Sequence, residues 1–191
     1  MAAGILILSY LLGSIPNGLI FGKLIWHKDL RNFGSGNIGA TNAWRVIGKQ
    51  AGILIFLLDF LKGAISVMLA KIFVDSALVM VAAGLLAIIG HTFSIFLKLR
   101  GGKGVATGLG VIAMMIPKVT AIVFLTWLVI FLVTRYVSVA SIIAAALTPI
   151  LAIVFDEPIE FIILGLMAAA FIIFRHKENI LRLKQGRENR F

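Results

Sequence analysis

Three stretches of this chain combine glycine, neutral hydrogen-bond donors and basic side chains at spacings that suit a phosphorylated ligand. The first runs Arg31-Asn-Phe-Gly-Ser-Gly-Asn-Ile-Gly-Ala-Thr-Asn-Ala-Trp-Arg45. Gly34, Gly36 and Gly39 permit turns that other residues resist, and successive amides in such turns form a concave nest for an anion. Ser35, Asn37, Thr41 and Asn42 add neutral donors around Ala40, and Arg45 adds a planar fork matched to two phosphate oxygens. No acid falls between Ser35 and Arg45. If the segment runs into the next helix, its anion lies at a helix N-terminus. A flexible interhelical loop is the plainer account of the same residues.

The second stretch is Gly90-His-Thr-Phe-Ser-Ile-Phe-Leu-Lys-Leu-Arg-Gly-Gly-Lys-Gly-Val-Ala-Thr107. Gly101, Gly102 and Gly104 around Lys103 set bare amides beside an ammonium where a helix begins, which suits phosphate. A nucleotide-binding P-loop is excluded, because Leu97 stands at its first glycine position and Gly104 follows the lysine. His91, Ser94 and Lys98 recur at helical intervals and so are expected on one face. His91 is read either as a packed structural histidine or as a member of the site. In the third stretch, Arg175-His-Lys-Glu-Asn-Ile-Leu-Arg-Leu-Lys-Gln-Gly-Arg-Glu188, His176 and Asn179 lie one helical turn apart. A basic tail resting on anionic lipid explains the lysines and arginines there but neither His176 nor Asn179.

The elements that position these stretches follow from composition. Of the 191 residues 61% are hydrophobic and 14% charged, and the mean hydropathy is +1.08. A domain of this size cannot hide so much apolar surface from water. A bilayer can, and the reading is a single all-α membrane domain over residues 1–191. Candidate spans are Ala3–Gly22, Ala51–Ala70, Ala77–Leu97, Val105–Pro117, Val119–Thr134, Val137–Phe155 and Ile159–Phe174. The first is taken as a retained span, since no basic residue precedes Lys23. The fourth covers only about 20 Å, so charge arbitrates between crossing and re-entry. Seven crossings put fifteen of the eighteen lysines and arginines on one side, leaving Lys71 and Lys118 opposite and Lys62 inside a span. The positive-inside rule then sets the N-terminus out and the C-terminus in the cytoplasm. All three donor-rich stretches share that cytoplasmic side. Asp59 and Lys62, three apart within a span, are expected to pair in the bundle interior, because each intramembrane ion costs about 2.5–3.5 kcal/mol.

Ser35-Gly-Asn-Ile-Gly-Ala-Thr-Asn42, Gly90-His-Thr-Phe-Ser94 with Gly101-Gly-Lys-Gly-Val-Ala-Thr107, and Arg175-His-Lys-Glu-Asn-Ile-Leu-Arg-Leu183 with Gly186 and Glu188 resemble the signature segments of the bacterial PlsY family. Those proteins are membrane acyl-phosphate:glycerol-3-phosphate acyltransferases, and the resemblance covers nearly the whole chain. It implies acyl transfer from acyl phosphate to the 1-hydroxyl of glycerol 3-phosphate, at the start of phospholipid synthesis in the bacterial inner membrane. It also implies a site facing the cytoplasm and no cofactor. On that implication Ser35, Arg45, Lys103, His176 and Asn179 hold glycerol 3-phosphate. The backbone of Gly36, Asn37, Gly39, Ala40, Thr41, Asn42, Gly101, Gly102 and Gly104 holds the acyl phosphate. Lys103, His176 and Asn179 are the catalytic candidates, and His91, Ser94 and Glu188 are secondary ones.

The residues bear on the mechanism independently. An acyltransferase pairing of His with Asp five positions on is absent, since Asn32, Phe96 and Leu181 follow His27, His91 and His176. There is no GxSxG elbow and no cysteine, so direct attack without an acyl-enzyme is expected. The base is left open among His176, Glu188 and a substrate phosphate, with the phosphate favoured. No metal site is legible, nucleic acid is not an expected partner, membrane lipid is, and a monomer is compatible with the chain. A carrier for a phosphorylated metabolite is the competing class; the absence of internal repeats and the crowding of polar residues on one face argue against it.

Overall fold

The computed structural model describes every residue from Met1 to Phe191, and its regular structure is helical throughout. The chain divides into two compact units, Met1–Val111 and Ile112–Phe191. The first holds α1 (Ala2–Ser14), α2 (Asn17–Trp26), α3 (Ala40–Val46), α4 (Lys49–Phe73), α5 (Ala77–Thr92) and the start of α6 (Val105–Met115). Short 3-10 turns lie at Leu30–Asn32 and Ile95–Leu97. The second holds the end of α6 with α7 (Pro117–Thr134), α8 (Val137–Val154), α9 (Ile159–Arg175) and α10 (Lys177–Lys184).

Four segments are long and apolar enough to cross a bilayer by themselves: α4, α5 with the turn after it, α7 and α8. Two more pass only as bent pairs, α1 with α2 at 43° and α9 with α10 at 54°. The expected first span is therefore broken in the middle. Pro16 is the cause, because the residue before a proline is pushed out of the helical region, and Ile15 sits at φ −57°, ψ 117°. The break leaves the Ile15 carbonyl inside an apolar segment, where an unmet polar group is costly. The carbonyl accepts from Lys62 Nζ at 2.9 Å and from the Asn17 amide at 3.1 Å.

α6 is also shorter than the span expected over Val105–Pro117. Pro117 starts α7 as its first residue, and Ile116 before it adopts φ −133°, so the helix stops at Met115. Eleven residues rise about 16 Å, half of a hydrocarbon core of about 30 Å. α6 packs closely on α4: a Cβ at Gly63 would overlap the Thr107 carbonyl, and one at Gly110 the Phe60 carbonyl. Small residues at these crossings let the backbones touch, as membrane helices require. In the second unit α7 leaves Leu125, Leu132 and Val133 exposed, the surface of a helix solvated by lipid.

Candidate active site

The loop from Phe33 to Gly39 is built around one buried side chain. Asn42, in the first turn of α3, donates from Nδ2 to the carbonyls of Asn37 (2.8 Å), Phe33 (3.0 Å) and Leu30 (3.2 Å). Its Oδ1 accepts the Ser35 amide at 2.9 Å. Gly34 (φ 60°) lies against that oxygen, where a Cβ would overlap it. Asn37 Oδ1 accepts the Gly39 amide at 2.8 Å. The sequence reading counts Asn42 among donors aimed at the anion and Gly39 among open amides. The structure instead spends the Asn42 side chain and the Gly39 amide on the loop itself, leaving Ser35 and Gly36 exposed at its tip. Helix also begins at once, at Ala40, so the loop enters α3 rather than α4. α3 rests on α4 through Ala43, Ala51, Ile55 and Leu30, and this packing carries Arg45, half-buried in its last turn.

The second loop owes its shape to the end of α5. The amides of Gly101 and Gly102 donate to the carbonyls of Thr92 (2.8 Å) and His91 (3.1 Å), satisfying carbonyls that a helix end leaves open. A Cβ at Gly101 would overlap the His91 carbonyl, and one at Gly102 the His91 ring at Nε2. These two glycines are there for close approach, and their amides are not the bare donors the sequence suggests. Gly104 differs: φ is +83°, and it opens α6. The first α6 bond runs from the Gly108 amide to the Gly104 carbonyl, so the amides of Val105, Ala106 and Thr107 have no partner within the helix. Lys103, half-buried, stands two residues ahead of Val105.

The expected shared face of His91, Ser94 and Lys98 does not form, because α5 ends at Thr92 and Lys98 is left-handed (φ 51°). Ser94 Oγ donates to the Ser14 carbonyl at 2.5 Å, fastening the loop to the end of α1. His91 is turned inward toward the expected ion pair. Lys62 Nζ lies 2.9 Å from Asp59 Oδ1, and His91 Nδ1 lies 3.7 Å from the same oxygen. Asn17 Nδ2 donates to it at 3.0 Å. Asn17 is the residue sequence reasoning missed; its only signal is a polar side chain beside Pro16 inside an apolar run.

In the second unit His176 and Asn179 are both buried, at 3% and 6% exposure, on the bend between α9 and α10. His176 Nδ1 lies 2.8 Å from the Ile172 carbonyl. A carbonyl only accepts, so Nδ1 carries a proton. Glu188 gathers three donors: Asn179 Nδ2 (2.6 Å) and Ser138 Oγ (2.9 Å) on Oε1, and Arg182 Nε (2.8 Å) on Oε2. Burial alone would raise its proton affinity, but the bonds from Asn179, Arg182 and Ser138 outweigh burial and hold it below the ordinary glutamate value. A carboxylate so occupied is a weak base, and its evident work is to hold Asn179.

Comparison with known proteins locates these motifs in a family. A family model described as glycerol-3-phosphate acyltransferase matches residues 3–186. A glycerol-3-phosphate acyltransferase of Aquifex aeolicus (strain VF5) is 47% identical over 188 residues, covering 98% of this chain and 97% of the relative. The crystal structure of PlsY (YgiH), an integral membrane glycerol 3-phosphate acyltransferase in its glycerol 3-phosphate form, aligns at TM-score 0.95. It is 46% identical, over 100% of this chain and 95% of that one. The lysophosphatidic acid form of PlsY aligns at TM-score 0.93 with 44% identity, over the same shares.

Proposed function

This chain belongs to the glycerol-3-phosphate acyltransferase family, and on that premise we propose that it carries a fatty acyl group from acyl phosphate to the 1-hydroxyl of sn-glycerol 3-phosphate. The hydroxyl oxygen attacks the acyl carbon, the bond from that carbon to the phosphate oxygen breaks, and phosphate leaves. The products are 1-acyl-glycerol 3-phosphate, a lysophosphatidic acid, and inorganic phosphate. Two forms of a similar protein, with glycerol 3-phosphate and with lysophosphatidic acid, are an acceptor and its product and support the choice of reaction.

Acyl phosphate is a mixed anhydride with a good leaving group, so alignment and charge stabilisation supply most of the catalysis. By the family resemblance, Ser35, Arg45, Lys103 and His176 are assigned to the phosphate of glycerol 3-phosphate and Asn179 to its hydroxyls. The acyl phosphate takes backbone donors at Asn37, Ala40 and Thr41 and from Lys103 to the first turn of α6, since the Gly36 and Gly39 amides are bonded within the loop. The hydroxyl proton passes to a phosphate oxygen. One observation favours that base: Glu188 already accepts three bonds. The observation that carries the reading is the turn before α6, where Lys103 lies two residues ahead of three amides that the helix leaves open, a ready anion site.

The arrangement that keeps fifteen basic residues on one side is seven crossings, with the N-terminus outside and the site at the cytoplasmic face of a bacterial inner membrane. α6 then crosses as a short span, with local thinning of the bilayer. Purified protein given acyl phosphate and glycerol 3-phosphate is expected to release phosphate and lysophosphatidic acid in equal amounts. Lys103→Ala or Arg45→Ala should lower the rate about 100-fold or more with the melting temperature unchanged. Near-normal turnover would remove both from the clamp. His176→Gln should lose activity only in part; complete loss would make His176 the base. Uptake of substrate into liposomes without transfer would decide for a carrier.

A further inference from the structure

Asp59 does more than neutralise Lys62. One oxygen, Oδ1, is approached by Lys62 Nζ at 2.9 Å, Asn17 Nδ2 at 3.0 Å and His91 Nδ1 at 3.7 Å. All four residues are buried, in a region where ions are expensive unless they have a function. The Lys62 bond to the Ile15 carbonyl explains the lysine. It does not explain why the carboxylate also takes an asparagine and a histidine. A buried ion pair alone gives little stability over apolar residues of the same volume.

The contacts continue at both ends. The far edge of the His91 ring lies under Gly102, so close that a Cβ there would overlap Nε2. The His91 carbonyl meanwhile accepts the Gly102 amide. At the other end Gly18, next to Asn17, lies against the carbonyl of Ile38 with no room for a Cβ. A continuous path therefore runs from the first loop at Ile38, through Gly18, Asn17, Asp59 and His91, to the second loop at Gly102. Neither loop touches this path through a side chain assigned to substrate.

We infer that Asn17, Asp59 and His91 form a buried brace that fixes the Gly101–Gly104 turn relative to the first loop, with His91 the positioning residue for Lys103. Asp59 faces the ring from one edge, with Oδ1 3.7 Å from Nδ1. The opposite edge is the floor on which Gly102 rests, and the height of that floor sets where Lys103 and the first amides of α6 stand. The inference rests on the reading of Lys103 as a phosphate ligand, and extends it.

The test uses the detergent-purified chain and three variants. His91→Asn keeps a polar group where Nδ1 faces Asp59 but stops short of Gly102, whereas His91→Gln reaches the position of Nε2. Asp59→Leu combined with Lys62→Met removes both charges and the acceptor oxygen without stranding either charge. Two quantities are read: KM for glycerol 3-phosphate against kcat at saturating acyl phosphate, and amide exchange of residues 97–107. His91→Asn should raise KM about 10- to 100-fold with a smaller change in kcat, and should speed exchange at Gly101 and Gly102. His91→Gln should recover most of both. The double variant should behave like His91→Asn, and adding His91→Asn to it should raise KM no further, since both act through one ring. Wild-type KM and exchange in His91→Asn, or effects that multiply when combined, overturn the brace. If His91→Asn does not fold, the double variant decides alone, with wild-type values there counting against it. Faster exchange with an unchanged KM upholds the positioning and instead removes Lys103 from the phosphate.

Discussion

Asp59 and Glu188 each accept an asparagine amide and a basic side chain: Asn17 and Lys62 for one, Asn179 and Arg182 for the other. Their surroundings differ. Asp59 lies inside α4, a helix apolar enough to cross a bilayer, and its lysine shows only 6% of its side chain to solvent. Glu188 lies beyond the last helix, and its arginine is 33% exposed. The same set of partners thus serves two ends. Among apolar helices neither charge can be removed without stranding the other, so the cluster is fixed. Where one partner reaches solvent, the carboxylate is replaceable at moderate cost and its protonation can change.

The contrast is broken most directly at Asp59. Asp59→Asn leaves the Lys62 ammonium buried with no counter-charge, which costs on the order of 3–5 kcal/mol. The variant should melt far below the wild type in detergent, or fail to accumulate. Combining it with Lys62→Met should recover much of that loss, the Ile15 carbonyl then keeping only the Asn17 amide. A single variant that melts like the wild type would show that water reaches the cluster, and the distinction between the two carboxylates would disappear.

Glu188→Gln should cost less, about 1.5–3 kcal/mol. Oε1 accepts from Asn179 and Ser138 while Oε2 accepts from Arg182. Whichever way the amide turns, its NH2 faces a donor. Because Asn179 is one of those donors, the loss of kcat/KM for glycerol 3-phosphate should exceed what the melting shift alone explains. Equal activity in a destabilised variant would reduce Glu188 to a structural anchor.

Much of this frame can be read from the sequence because apolar length and charge are local signals. Ala51–Ala70 becomes Lys49–Phe73, and Val137–Phe155 becomes Val137–Val154. The Asp59–Lys62 pair is legible for the same reason, three residues apart in one helix. What is not legible depends on partners far along the chain. Pro16 in an apolar run is compatible with a kink or a break, and the break persists because Lys62, 47 residues on, meets the Ile15 carbonyl. Gly101 and Gly102 look like open amides until α5 ends at Thr92 and presents its carbonyls to them. Asn42 looks like a ligand until its amide is seen to bind three carbonyls of the loop before it.

Protonation gives a second way to test Glu188. The folded chain holds Glu188 below its ordinary value of 4.5, so folding favours the ionised form. That contribution is complete above about pH 4.5 and is lost as pH falls through the lower folded value. The wild type should therefore show a falling melting temperature below about pH 4.5, and Glu188→Gln should flatten that limb. Identical acid limbs in the two proteins would mean that other carboxylates govern it.

Asp29 supplies the exposed limit of the series. Arg31 grips it twice, from Nε at 2.9 Å and Nη2 at 2.6 Å, and its amide donates at 3.1 Å, while Lys23 Nζ adds a contact at 3.1 Å. The Arg31 hydrogen bonds hold the carboxyl well below the usual carboxylate range, against the opposing effect of partial burial. Yet Arg31 and Lys23 are about half exposed, at 48% and 52%, so solvent screens most of the attraction. Asparagine keeps an oxygen for the Arg31 amide and is as good a cap. Asp29→Asn should therefore cost about 0.5 kcal/mol or less, and the difference should close as salt approaches about 1 M, where screening acts within roughly 3 Å. A cost equal to that of Glu188→Gln, persisting in salt, would mean that the number of partners ranks these carboxylates and exposure does not.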